Sequence, residues 1–236
     1  MKNSILSLLT AAFIVSCSDK KADTNTHIAG DIKGLTNGTL YLKQMKDTAL
    51  VAIDSLKIAG KSNFEFNFNL DSPELMYLVI DRGITNSIDD MLPIFAETGT
   101  INVQTDLKHF YADAKITGSQ NHTLLEQFQK INTKYKNEIL SISKEKYDAI
   151  RYKRLQDVDS IDRKMDKKIG RKYFYAINFA LTNKDHEIAP FIALSELTDA
   201  NIKYLDTINN SLTPKVAGSK YGKLLKKYIS ERKVQH

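Results

Sequence analysis

The chain has 236 residues, 42% hydrophobic and 26% charged, which describes a foldable sequence and excludes disordered and fibrous classes. Its single cysteine excludes a disulfide framework, a Cys-rich zinc site and a CxxC redox centre, and its length suits one or two domains. A formal charge of +6 would by itself raise nucleic acid as a partner, but the first twenty residues argue against that.

Lys2 and Asn3 form a short polar start, and Ile5 to Val15 is an apolar run well below the roughly 20 residues of a membrane-spanning helix. This is the layout of a secretory signal peptide over residues 1–16. It ends in Ile14-Val15-Ser16-Cys17, which resembles a bacterial lipobox with the only cysteine at the lipidated position. A small residue before the cysteine suits the signal peptidase, and the thiol would become a thioether to diacylglycerol. Each buried acyl methylene contributes about 0.8 kcal/mol, so several chains on Cys17 would anchor the protein almost permanently. Ser18 is not the aspartate that retains proteobacterial lipoproteins in the inner membrane, so the expected location is the outer membrane, facing the periplasm. Residues 17–26 are then a polar tether, and cytosolic nucleic acid is not an expected partner.

Residues 27–118 read as a β domain of about seven or eight strands. Asn37-Gly38 predicts a hairpin between Ile28–Lys33 and Thr39–Lys43. Val51, Ile53, Leu56 and Ile58 mark the next strand. Asn63 to Leu70 alternates strictly, placing Phe64, Phe66, Phe68 and Leu70 on one face. Leu75–Ile80 is apolar on both faces and predicts a central strand; Met91–Glu97, Gly99–Thr105 and Tyr111–Ile116 complete the set. The expected architecture is α+β: an antiparallel sandwich or open barrel, then a helical region.

Over residues 119–236 the apolar period becomes 3.6. Ser119 or Asn121 can cap a helix with the stripe Leu124, Phe128, Ile131, Tyr135 and Ile139. A longer helix is expected from about Lys144 to Asn183, with Ile150, Val158, Ile161, Met165, Ile169 and Tyr173 on its stripe. Pro190 opens a third helix, Asn201–Asn210 forms a fourth, and Ser219 caps a last one over Lys220–Arg232. Charge divides at the same boundary: 11 basic and 14 acidic side chains before residue 119, 23 and 14 from there on.

Candidate chemistry is sparse. His27, His109, His122, His186 and His236 show no zinc-ligand spacing, and the nucleophile-elbow and phosphate-loop motifs are absent. Asp89-Asp90 could serve acid–base or calcium chemistry but reads better as a solvated loop tip. Asp159, Asp162 and Asp166 share a helix face, where flanking Arg163 and Lys167 favour ion pairs over a metal. Arg163-Lys164, Lys167-Lys168, Arg171-Lys172, Lys223 and Lys226-Lys227 could meet anionic lipid or glycan, or simply keep a helix face charged. No catalytic, cofactor or metal residue is assigned.

Several segments do match a pattern: His27–Lys43 (HIAGDIKGLTNGTLYLK), Ile53-Asp54-Ser55, Asn63–Phe66 (NFEF) and Pro73–Ile80 (PELMYLVI). They resemble the domain of unknown function 4369, the N-terminal β domain of Bacteroidota-type envelope lipoproteins. Ile116–Ser119, Ala189-Pro190-Phe191 and Ser219–Leu225 resemble the part that follows it in those proteins, where longer members continue into a thioredoxin-like module with a CxxC. The resemblance implies the accessory portion of a thiol–disulfide oxidoreductase lipoprotein, here without a redox residue to carry over, and a turn or strand-edge role for Asp54-Ser55. Two functions are therefore expected. One is a lipid-anchored envelope module without intrinsic catalysis, binding a protein or glycan. The other is an accessory subunit docking a separate thioredoxin-like oxidoreductase.

Overall fold

The computed structural model describes residues 24–81, 83 and 88–234. Cys17 and the expected signal peptide lie outside the described residues.

Among the described residues, eight strands form two four-stranded sheets. They are β1 (Thr26–Lys33), β2 (Asn37–Lys46), β3 (Ala49–Ala59), β4 (Asn63–Phe68), β5 (Glu74–Asp81), β6 (Met91–Ala96), β7 (Gly99–Asp106) and β8 (Lys115–Thr117). The first sheet has the order β4–β1–β7–β8 and the second β3–β2–β5–β6. Alternation puts one face of each sheet into a shared core. Ile28, Phe64, Phe66, Ile101 and Val103 come from the first sheet; Leu40, Leu42, Met76, Leu78, Ile80 and Ile94 come from the second. Phe64 and Phe66 are 4% and 1% exposed, as the strict alternation of that strand requires. β5 lies between β2 and β6, the central place its two-faced apolarity predicts.

Three expectations are corrected. Asn37-Gly38 does not join a hairpin, because β1 and β2 belong to different sheets; β2 instead pairs with β3 and β5. The chain turns earlier, where Gly34 has φ 88° and the Leu35 N–H donates to the Ile32 carbonyl at 3.0 Å. The sheets are also not wholly antiparallel: β1 and β7 run parallel, Ile28 opposite Ile101, and the intervening residues form the crossover a parallel pair needs. Of the expected last strand, Tyr111–Ile116, only Lys115 and Ile116 are extended, within β8, and Tyr111 is 51% exposed.

The helical half comprises α1 (Gln120–Arg151), α2 (Val158–Thr182), α3 (Ile188–Glu196), α4 (Ile202–Ser211), α5 (Pro214–Ala217) and α6 (Lys220–Val234). Ser119, not Asn121, caps α1, its side chain accepting from the His122 N–H at 3.0 Å. The helix break expected before Lys144 falls instead at residues 152–157, so α1 and α2 form a long hairpin. Lys153 takes the left-handed turn conformation (φ 56°), and Ile150, expected on the buried stripe, is exposed. The serines near residue 141 do not end a helix whose partner continues alongside: Ser143 bonds back to the Ile139 carbonyl at 2.9 Å.

Helix α3 is the buried centre of this half, with Ile188, Ala189, Ile192 and Ala193 at 1% exposure or less. Around it Phe128 stacks on Tyr175 (5.3 Å, 11°) and meets Phe179 edge-on. Glu196 ties three helices together, accepting from Asn132 at 2.8 Å, Lys136 at 2.9 Å and Lys172 at 2.8 Å. Burial pushes its carboxyl up, but the hydrogen bonds and charges of Lys172 and Lys136 outweigh that and hold it below its ordinary value.

The second core reaches back into the sandwich through Phe95 of β6, which is fully buried and packs edge-on against Phe191 at 5.5 Å. Three layers result: sheet, sheet and helices. Truncating the β4 face tests this register. Phe66→Ala is expected to cost about 3–5 kcal/mol in chemical denaturation; a loss below about 1 kcal/mol would mark a surface position and contradict it.

Candidate functional site

Where α6 begins, the helices stand away from one end of the second sheet and leave a cleft of about 1150 Å³. Its walls come from both halves: the end of β2, the β4–β5 connection and β5 on one side, Phe191 of α3 and Gly218–Leu224 on the other. On the floor Glu74 is 4% exposed, yet its carboxylate is compensated. It accepts from the Gln44 side-chain amide and from the Lys220 ammonium, which also reaches the Met45 carbonyl at 3.5 Å. A buried carboxylate needs this combination of opposite charge and hydrogen bonding.

Tyr221, one residue into α6, seals the inner end. Its ring packs on Phe191 at 5.1 Å and Phe95 at 5.9 Å, and its hydroxyl oxygen accepts from the Leu75 N–H at 3.0 Å. Burial pushes the Tyr221 phenol far above its ordinary value, with the Leu75 hydrogen bond opposing, and burial also raises Tyr77. Both phenols are neutral hydrogen-bonding groups at physiological pH rather than bases. The mouth is partly apolar, with Met45 39%, Ile53 37% and Leu224 43% exposed. Asp54 lines it from the edge strand β3 and accepts from the Ser55 N–H at 2.7 Å, a local backbone role. The arrangement sets apolar lips around a compensated ion pair and hydrogen-bonding phenols.

A polar joint holds the two walls at their separation. Glu97, just after β6, accepts from Gln120 N–H at 2.6 Å and from the Asn121 side chain at 2.8 Å, so a carboxylate meets the positive end of α1. Asn121, 2% exposed, also donates to Glu187 at 3.1 Å and accepts from the Ile188 N–H at 2.8 Å. The Ser119 hydroxyl donates to the Phe95 carbonyl at 2.6 Å, and the Phe95 N–H donates to Nδ1 of His122 at 3.3 Å. His122 is therefore a neutral acceptor, its pKa lowered by burial to about 4.

The residues singled out in the sequence are scattered. Of the Asp89-Asp90 pair, Asp89 is exposed as a solvated carboxylate would be, whereas Asp90 is buried within the short 3-10 turn Ile88–Asp90 that leads into β6. Asp162 pairs with Lys146 at 2.6 Å, and among the described residues no group of three or more His, Cys, Asp or Glu could hold a metal ion. Lys164, Lys168 and Lys172 pair with Glu145, Glu138 and Glu196 of neighbouring helices, so half of that basic row knits helices together. His27, His109 and His186 are separately placed beside Glu65, Asp113 and Asp185. Sequence reading missed Glu74, Gln44, Lys220 and Tyr221 as a set. The one available signal was a glutamate at the head of an otherwise apolar strand.

Residues 26–125 match the model of the family described as a domain of unknown function (DUF4369). The matched stretch covers the sandwich and the start of α1, and the family is the one that the turn and core residues resemble. No curated protein and no solved structure matches the chain. Most of the cleft lining lies within the matched stretch, while the helical wall, Phe191 and the start of α6, lies beyond it.

The joint makes stability depend on pH. The folded state resists protonating His122 until about pH 4, whereas the unfolded chain takes that proton near its ordinary 6.5. This stabilisation is complete above pH 6.5 and declines as pH falls towards 4, by about 2–3 kcal/mol at pH 4.5. Urea titrations at pH 7 and pH 4.5 are expected to show a smaller acid loss for His122→Gln than for the unaltered protein. Parallel losses would remove His122 from the account.

Proposed function

We propose that this protein is a lipid-anchored binding module of the cell envelope that takes its ligand in the cleft between sandwich and helices and performs no chemistry of its own. The cleft carries the reading: both halves build it, its mouth is apolar, and its buried charge is balanced by Lys220 and Gln44. Such a site suits orientation and affinity better than proton transfer, because its groups already serve one another. The anchoring rests on Ile14-Val15-Ser16-Cys17, and no helix among the described residues is long and apolar enough to cross a membrane. A protein segment or glycan with an apolar face and a few polar groups fits the lips and floor.

Two measurements test it. Intact-mass analysis of the membrane fraction is expected to find a chain beginning at Cys17 and carrying acyl groups; a soluble, unmodified Cys17 would end the anchoring claim. Affinity purification from detergent-solubilised envelope should then compare the protein with Ile53→Arg, which places a charge on the half-exposed lip. Retained material is expected to fall about tenfold or more, the effect of burying an unpaired charge against a ligand. Equal retention by both would move binding away from the cleft. A thioredoxin-like enzyme lost with Ile53→Arg would make that enzyme the ligand.

A further inference from the structure

The α1–α2 hairpin projects well beyond the helical core. From Tyr135, the outermost α1 member of the aromatic cluster, to Arg151 the helix rises by about 24 Å at about 1.5 Å per residue. Only a small separate cluster supports this arm: Ile142, Ala149 and Ile161, with Val158 and Met165 against them. At its apex every residue from Ile150 to Gln156 is exposed. Large apolar side chains are prominent there: Tyr147 is 62%, Ile150 52%, Tyr152 64% and Leu155 64% exposed. Side chains of that size are seldom left in water together at one tip.

Charge at the apex is one-sided. Between Asp148 and Asp157 there is no acidic residue, while Arg151, Lys153 and Arg154 are all basic. Arg154 shares Asp157 at 3.3 Å and the Arg151 guanidinium lies 5.6 Å from the centre of the Tyr152 ring. Neither Arg151 nor Lys153 meets a carboxylate among the described residues. Lower on the hairpin the opposite holds, where Lys146, Lys164 and Lys168 are each matched by an acid of the facing helix. Unbalanced positive charge thus coincides with the exposed apolar side chains.

From this coincidence we infer that the hairpin apex binds an anionic phospholipid surface. Tyrosine rings sit at the boundary between headgroups and acyl chains, leucine and isoleucine reach past it, and arginine and lysine bend back to lipid phosphates. Two or three such cations give useful attraction only where the surface is negative. A protein partner fits less well, since a stable interface takes about 800 Å² from each side and this convex tip offers no groove. The inference stands on these residues alone and does not require Cys17 to be lipidated.

The chain contains no tryptophan, so Tyr152→Trp installs its only indole at an exposed position the fold does not use. The full-length variant is mixed with phosphatidylcholine vesicles with or without phosphatidylglycerol. With the anionic lipid, blue-shifted emission and quenching by brominated acyl chains are expected, weakening in high salt. Adding Arg151→Glu and Lys153→Glu should lower vesicle affinity by about tenfold or more. A reporter at Tyr111→Trp, exposed on the sandwich, should remain unquenched by lipid. Running each variant also with Cys17→Ser separates the two claims, because loss of an anchor leaves the apex signal in place. An indole still open to aqueous iodide on anionic vesicles, or quenched equally without anionic lipid, would overturn the inference. Shielding from iodide without lipid quenching would overturn it too, and would assign the apex to a protein contact.

Discussion

Everything in the arrangement of the two halves depends on how the N-terminus of α1 is seated on β6. Phe95 belongs to the sandwich by its backbone and to the helical core by its side chain. Ser119 and His122 satisfy its carbonyl and N–H groups, while Glu97 and Asn121 satisfy the first turn of the helix and the start of α3. Buried backbone groups left without partners are costly, so this exchange allows a helix end to approach a sheet face closely. Gly118 completes the approach: it has φ 91°, and a Cβ there would lie 2.1 Å from the Thr100 carbonyl oxygen.

The cleft follows from that seating. With α1 fixed at β6 and α3 packed on it, α6 can reach β5 only at its first turn. There Tyr221 and Lys220 engage Leu75 and Glu74. The rest of α6 turns towards α3 and α4, burying Leu225 and Ile229 in the helical core. The end of the sheet that carries Gln44, Glu74 and Tyr77 is left uncovered by helix, and the apolar groups around it become the lips of the cleft.

The same logic explains the exposed hairpin. Helices α1 and α2 are longer than the core they serve. Their outer ends bury little, and interhelical ion pairs such as Lys146–Asp162 and Lys168–Glu138 align them instead. Exposed pairs of this kind each contribute little, yet they orient helices already held together by an apolar seam. The dense charge that made one helix hard to read from another flanks this seam as interhelical pairs.

Local pattern determined a good deal by itself. Period two identified most strands and the buried face of β4, because alternation dictates which side chains share a face, and two-faced apolarity marked β5 as central. Capping chemistry narrowed the start of α1 to Ser119 or Asn121 and located that of α6 at Ser219. Tertiary structure alone decided which strands are neighbours. The pattern of β1 states that Ile28 is buried, but not that Phe66 and Ile101 lie beside it, nor that β7 runs parallel. It also decided where the long helical segment folds back, since a period of 3.6 continues through residues either side of a turn. The cleft was equally illegible: Gln44, Glu74 and Lys220 are far apart along the chain. Only the packing of α6 on β5 gives the Glu74 carboxylate a reason to be buried.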